Sequence, residues 1–447
     1  MFQTIISTIS SFMYSKLLVI ILIGAGVYFT VRTRFPQVRL FKRACGSVME
    51  KPEDKKAISS FQALMVSTAS RVGTGNIVGV SSAICIGGFG SVFWMWVIAI
   101  IGSASALIES TLAQIYKKKG EDGSCYGGPA YYIEAALHCR PLAIVFCVAM
   151  ILTYAFGFNM LASYNLQSTF SVFSFYEAKI SPWIIGGILA VLTGWCLLGG
   201  GSRIVKVTSM VVPVMGIAYI GISLLVVIIN IQNVPAMFVR IFEEAFDFKA
   251  IFGAFSGSAM MQGIRRGLYS NEAGIGSAPN ASAAANVSHP VKQGLIQALG
   301  VFIDTLVICS CSAFLMLLAP AEKIEGLMGM DLLQAAMNHH LGYAGVVFIA
   351  VVLFLFSFST FLGILYYARC NVSYVFGDTW KAQTGYKIFL LIMLFIGGVA
   401  AYEFVWELGD LGVGLMTVFN MIAIVPLSGQ AINALKDYET NYKKKKA

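Results

Sequence analysis

Residues 72–79 read VGTGNIVG, and they interrupt an apolar stretch that runs from FQALMVSTAS to VSSAICIGG. Three glycines, a threonine and an asparagine weaken a helix where hydrocarbon tolerates it least. A break there frees backbone N–H and C=O groups, so it persists only where it lines a polar cavity. The N–H groups opening the following half-helix form a positive dipole end suited to a carboxylate. The carbonyls closing the preceding half-helix suit a cation. The chemistry on offer is joint binding of an anionic group and a cation at mid-membrane depth. Close helix packing also uses glycine, and it explains Gly186, Gly187, Gly199 to Gly201, Gly397 and Gly398. It does not explain the asparagine of GTGN. A dinucleotide-binding reading of Gly73-Thr74-Gly75 fails, because no βαβ context surrounds it and the spacing is GxGxxxG.

A second weak stretch, GAFSGSAMMQGIRRG (253–267), is equally unsuited to a continuous lipid-facing helix. Ser256 and Gly257 lie within it, and Met260 and Gln262 follow, where they could bound a side-chain pocket. Four ionisable residues also fall in apolar segments, where each is costly and is a functional candidate. Glu109 reads as a structural pairing or a snorkelling side chain near Lys117 to Lys119. Asp304 either pairs with Arg265 or Arg266 or faces an ion pathway. Glu272 reads as a gate or helix cap, and Arg71 as a salt bridge closing the cavity, with direct ligand contact the second option.

The elements that must position these residues are membrane helices. The chain has 447 residues, 57% hydrophobic and 12% charged, with mean hydropathy +0.77. A soluble domain carries about a quarter charged residues. Runs near 15–31, 59–88, 91–116, 141–172, 182–199, 205–229, 250–270, 294–319, 341–369, 386–401 and 406–430 supply the roughly 20 apolar residues a span needs. No cleavable signal is expected, since a basic segment and no small-residue cleavage site follows the first run. One set of alternate loops holds 25 Lys and Arg and the other 5. The positive-inside rule then puts the N-terminus outside and the C-terminus in the cytoplasm. The net charge of +9 follows that segregation and does not point to nucleic acid. The nine cysteines contain no CxxC and read as packing residues. CYGGPAYYIEAAL (125–137) reads as a short amphipathic helix on the cytoplasmic surface.

With the first span set aside, ten remain, and the two weak stretches lie five spans apart. Weak points in corresponding positions of two five-helix halves point to an inverted-repeat transporter. The expected fold class is an all-α integral membrane protein of 11 transmembrane helices. One extra N-terminal helix precedes a 5+5 inverted-repeat core with two broken helices. The expected boundaries are 1–58 for the first helix and a basic segment, 59–430 for the core, and 431–447 for a basic tail. The repeats divide at about 59–229 and 250–430.

The stretches VGTGNIVGV, GGFGSVFWMWV, GGPAYYIE, RRGLYSNEAGIGSAP, FIDTLVIC, FSFSTFLGILYYA and VWELGDLGVGLM resemble the sodium:alanine/glycine symporter family. The likeness runs from about residue 60 to about 430. It implies the leucine-transporter-like fold and sodium-coupled uptake of a small neutral amino acid, alanine or glycine first. By the same resemblance, the N–H groups of Thr74 and Gly75 hold the substrate carboxylate. The side-chain oxygen of Asn76 ligates a sodium beside it. Carbonyls near Ala69 and Val72, with the hydroxyls of Ser359 and Thr360, make a second Na+ site of hard oxygen ligands. The chain departs from the expected FNxxQxN pattern at FNMLASYN (158–165), where Ala162 and Tyr164 stand in place of Gln and Asn. Asn159 and Tyr164 are therefore counted among the substrate-facing residues, and a different amino acid such as glutamine is the alternative substrate. A cation channel is a weaker reading. An enzyme is weaker still, since no HExxH occurs, and the absence of a Walker motif excludes a self-contained ATP-driven pump. The expected partners are the amino acid, sodium and the lipid bilayer of the cell's inner membrane, with the monomer as the working unit.

Overall fold

Long apolar runs fold as helices because hydrocarbon forces every backbone group to bond within its own segment. In the computed structural model, residues 2–50, 52, 57–120, 124–247, 258–399 and 402–446 are described. Among them, eight helices are long and apolar enough to cross a membrane. They are Ile6–Arg32, Gly90–Ile115, Arg140–Val172, Ser181–Leu198, Gly200–Ile229, Pro290–Leu317, Tyr343–Phe376 and Phe404–Asn441. Ser181–Leu198 and Gly200–Ile229 expose Ile188, Val191, Leu198, Ile217, Leu224 and Ile228. A belt of large apolar side chains facing outward fits a bilayer and not water. The chain is a multi-pass membrane protein.

Three of the expected spans take other forms. The second is interrupted. Ser59 starts it with a reciprocal cap, its hydroxyl accepting from Gln62 N–H (3.2 Å) while Gln62 Oε1 accepts from Ser59 N–H (2.9 Å). Helix Ser60–Arg71 ends at Val72, and Gly75–Gly87 resumes after the break. The tenth is Trp380–Gly397, an 18-residue helix capped by the Thr379 hydroxyl. The seventh differs from expectation. Its residues 248–257 lie outside the described residues, among them Ser256 and Gly257. From Ala259 the helix runs unbroken to Asn271, straight through Met260 and Gln262. Among the described residues a discontinuity follows at 272–277, before the short helix Ala278–Ala284. Glu272 (φ +54°), Gly274 (φ +82°) and Gly276 (φ +85°) take left-handed backbone there, which ends a helix wherever it occurs.

The unbroken helix also moves Arg265 and Arg266 off a loop and onto the middle of a helix. Without them the loop charges stand at 23 (25 − 2) against 5, so the asymmetry survives. The surface segment near 125–137 forms a short antiparallel pairing, Lys118–Lys119 with Cys125–Tyr126, and then helix Pro129–Leu137.

Helix Gly90–Ile115 is the backbone of the packing around the site, lying along both Ala259–Asn271 and Pro290–Val301. Gly294 permits the second contact, since a Cβ there would sit 2.7 Å from Leu107 O. On the other side, the π-helical turn Thr153–Phe158 crosses the last long helix at Gly157 and Gly409. A Cβ on Gly157 would fall 2.6 Å from the Gly409 Cα.

A candidate substrate and cation site where two helix breaks meet

The two breaks face each other. A Cβ on Gly75 would touch the Tyr269 ring at 3.1 Å and lie 3.8 Å from Ser270 Cα. The seam is held by two buried carboxylates, each tied to a segment more than 200 residues away. Glu272 accepts from the Ser70 hydroxyl at Oε1 (2.9 Å) and from the Ser277 hydroxyl at Oε2 (2.6 Å). Asp304 lies in the π-helical stretch Phe302–Cys309. It accepts from Asn76 Nδ2 at Oδ1 (2.6 Å), and at Oδ2 from the Ser270 and Thr305 hydroxyls (2.8 and 2.9 Å). Asn76, Glu272 and Asp304 are all fully buried. Two desolvated carboxylates are expensive unless positive charge compensates them. The nearby cation is Arg71, which lies within electrostatic reach of both. Its Nη1 donates to Gln297 O at 3.4 Å, and it makes no ion pair among the described residues. The expected salt bridge at Arg71 is therefore not present.

Several other expectations are corrected. Asp304 does not pair with Arg265 or Arg266. Those two arginines hold Asp410, Arg265 at 2.5 Å and Arg266 at 3.2 Å. Asp410 sits in VWELGDLG, a residue the sequence reading passed over. Glu109 is structurally paired, one of its two expected roles, but with the backbone N–H groups of Gly274 and Gly276 and not by snorkelling toward the lysines. Glu272 is a helix-capping position, its N–H donating to Leu268 O (3.0 Å), and its side chain adds the bonds across the seam.

The residues named from sequence fall in three places. Thr74, Gly75 and Asn76 are at the first break and buried. The Asn76 oxygen accepts from Gly73 N–H (2.9 Å), so it braces the break itself. Ala69 and Val72 close the preceding half-helix, and Tyr343–Phe376 packs against them. A Cβ on Gly363 would lie 3.0 Å from Ala69 C, and one on Gly73 would collide with Thr360 Oγ1. Ser359 and Thr360 are buried, both hydroxyls donating back to Phe356 O (2.9 Å each), and the Ser359 hydroxyl also donates to Met215 Sδ (3.5 Å). Met260, Gln262 and Asn159 lie elsewhere. Gln262 packs at the far end of the half-helix, where a Cβ on Gly87 would be 2.8 Å from its Cβ. Eight residues separate Gln262 from Ser270, about 12 Å along a helix. Met260 is half-buried near the same end. Asn159 Nδ2 donates to Leu390 O (2.8 Å), toward Trp380–Gly397. Tyr164 is half-buried.

The seam is covered on both sides. Toward Gly87, Phe158 stacks on Tyr269 (centroids 4.4 Å, 8° between planes), and Tyr269 leans on Trp406 (5.1 Å). Arg266 lies over Trp406 (4.3 Å), and the pair of arginines on Asp410 closes the layer above. Toward the lysine-rich face, Ile58 pairs with Ala285, and Asn286 N–H donates to Ile58 O (3.0 Å). Gln114 and Lys117 both donate to Ala285 O (2.9 and 3.0 Å).

The sequence model of the sodium:alanine symporter family matches residues 1–447. The probable sodium/glutamine symporter GlnT of Bacillus subtilis is 43% identical over 98% of this chain and 90% of its own length. The amino-acid carrier protein AlsT of the same organism is 44% identical, over 98% and 92%. The sodium/alanine symporter AgcS of Methanococcus maripaludis is 35% identical, over 98% and 97%. Among solved structures, MhsT in complex with L-phenylalanine superposes with TM-score 0.62 at 12% identity, covering 84% of this chain and 89% of that one. That likeness concerns the fold, which is the leucine-transporter-like one. The chain belongs to the sodium:alanine symporter family, whose members are transporters and not enzymes.

Proposed function

We propose that this protein carries a small neutral amino acid into the cell together with sodium, alanine being the first candidate. The observation that carries the reading is the seam itself, two helix breaks joined by Asn76–Asp304 and Ser70–Glu272. Half-helix N-termini there suit a substrate carboxylate, and the two side-chain carboxylates suit cations. The Thr74 and Gly75 N–H groups hold the substrate carboxylate. Asn76 and Asp304 define a first sodium position, Asp304 giving the negative charge. Carbonyls of Ala69 and Val72 with the hydroxyls of Ser359 and Thr360 define a second. Met260 and Gln262 leave the pocket in this reading, and Tyr269 and Phe158 replace them as its walls.

Eleven spans with the N-terminus outside and the C-terminus in the cytoplasm complete the reading. It includes a 5+5 inverted repeat, a place in the cell's inner membrane and a monomeric working unit. The retained charge asymmetry of the loops supports the orientation. Glutamine is the second substrate candidate, favoured by Ala162 and Tyr164 and by the name of the GlnT relative. Competition against bound radiolabelled L-alanine by a panel of amino acids in sodium separates the two. Displacement by L-alanine and glycine well below the L-glutamine concentration supports the first, and the reverse order supports the second. Displacement by neither would remove both.

Thr360→Ala tests the second sodium position. Losing one partner from an oxygen site costs about 1–3 kcal/mol, so the sodium concentration for half-maximal uptake should rise about 5- to 150-fold. The rank order of substrates should not change. Normal activation at limiting sodium would make FSFST a packing motif.

A further inference from the structure

Glu109 is a buried acid that the site does not use. It stands on Gly90–Ile115, fully buried, and its two oxygens take three donors. Gly274 N–H donates to Oε1 (3.2 Å), and Gly276 N–H and Asn420 Nδ2 donate to Oε2 (3.1 and 2.8 Å). The same Asn420 amide donates to Gly274 O (2.9 Å), and its Oδ1 accepts from the Tyr132 hydroxyl. Gly274 and Gly276 are in left-handed backbone, so their N–H groups have no helical ladder to join. Left unbonded in a dry interior, each would carry the full cost of an orphaned donor. One carboxylate thus gathers four elements: its own helix, the 272–277 break, the last long helix and the surface helix Pro129–Leu137.

The position of this cluster says more than its bonds. Residues 272–286 lie between the seam and the Ile58–Asn286 closure on the lysine-rich face. A path from the seam to that face opens if this segment shifts against the last long helix and the surface helix. Asn420, on the last long helix, bonds across that boundary to Gly274 O, and Tyr132 on the surface helix braces Asn420 from behind.

We propose that Glu109 is a positioning residue that fixes the backbone of the 272–277 break, and with it Glu272 and Ser277. We further infer that its link through Asn420 to Tyr132 is the latch released when the cytoplasmic side opens. The inference rests on the transport reading above, and not on which amino acid is carried.

The test compares Glu109→Gln and Tyr132→Phe in the full chain, in proteoliposomes. An amide offers one acceptor oxygen to three donors and sets its own NH2 against another. Glu109→Gln should therefore cut net sodium-driven uptake of labelled L-alanine and L-glutamine about 10- to 100-fold. Tyr132→Phe leaves every Glu109 bond in place and loosens only the outer end of the latch. A cysteine placed at Ser282, in a chain with its native cysteines replaced, should then be alkylated from the cytoplasmic side several-fold faster. Substrate affinity should stay within about twofold, a split that general destabilisation does not produce. The alkylation readout needs no transport and stands even where Glu109→Gln fails to fold. Unchanged labelling in Tyr132→Phe, or wild-type uptake in Glu109→Gln, would overturn the proposal. The wild-type chain run in parallel separates the two readings: no sodium-dependent uptake by it would sink the transport reading, while an active wild type with indifferent variants would sink this one.

Discussion

Asp304→Asn is expected to abolish sodium-driven uptake at physiological sodium. The Asp304 carboxylate accepts from Asn76, Ser270 and Thr305, and all three are bonds to an ion. An amide retains one acceptor oxygen and turns an NH2 toward a donor, so at least one of the three is lost. Hydrogen bonds to charged groups contribute about 1.5–3 kcal/mol each, which is about one to two decades in an equilibrium constant. The substitution also deletes the negative charge assigned to the first sodium position. Half-maximal sodium should therefore rise beyond the range that supports growth, while the protein still purifies as a monodisperse species. Sodium titration of uptake, with thermal unfolding in detergent as the control for folding, makes the measurement. A variant that folds and keeps wild-type sodium activation would remove Asp304 from the ion path.

Asn76→Ala should damage both ligands together. The Asn76 oxygen braces Gly73 N–H at the break, and its amide binds Asp304. Alanine leaves both partners unsatisfied in a buried seam, at about 2–4.5 kcal/mol for one neutral and one charged bond. That corresponds to about 30- to 2,000-fold in affinity. The informative quantity is the coupling. If sodium sharpens substrate affinity by some factor, linkage demands that substrate sharpen sodium affinity equally. In Asn76→Ala that factor should fall toward one. Substrate binding measured across a sodium series, and the reverse, gives both numbers. Retained coupling with only weaker binding would demote Asn76 to a brace of the break.

The first break was legible because its signal is local. Glycine at 73, 75 and 79 and an asparagine at 76 have no place in a lipid-facing helix, and the helix does stop at Val72. The second was less legible because the same signal occurs twice. The helix is unbroken from Ala259 to Asn271, through the end of the stretch expected to break, and left-handed backbone falls at 272, 274 and 276 in EAGIGS. Gly274 and Gly276, two residues apart just before Pro279, were the available clue. The pairings were out of reach for a different reason. Asn76 and Asp304 are 228 positions apart, and Ser70 and Glu272 are 202 apart. Which buried charge meets which is decided by helix packing. Asp410 shows this most clearly. It takes the two arginines that Asp304 was a candidate for, and nothing in VWELGDLG distinguishes it from Asp304 in FIDTLV. Thr360 lies against Gly73, whereas the Ser359 hydroxyl meets Met215 Sδ; periodicity alone would have left both as ordinary helix hydroxyls.

The central claim is that the seam binds sodium and an amino acid as one coupled load. The most direct test is uptake into proteoliposomes with the sodium gradient and membrane potential set independently. A zwitterion carries no net charge, so each sodium moved inward adds about 2.3 kcal/mol per 100 mV of inside-negative potential. That is about 50-fold in limiting accumulation for each sodium carried. The expected result is accumulation only with sodium outside, rising with inside-negative voltage, and no sodium current without substrate. Accumulation indifferent to sodium, or sodium flux that flows without substrate, would contradict it.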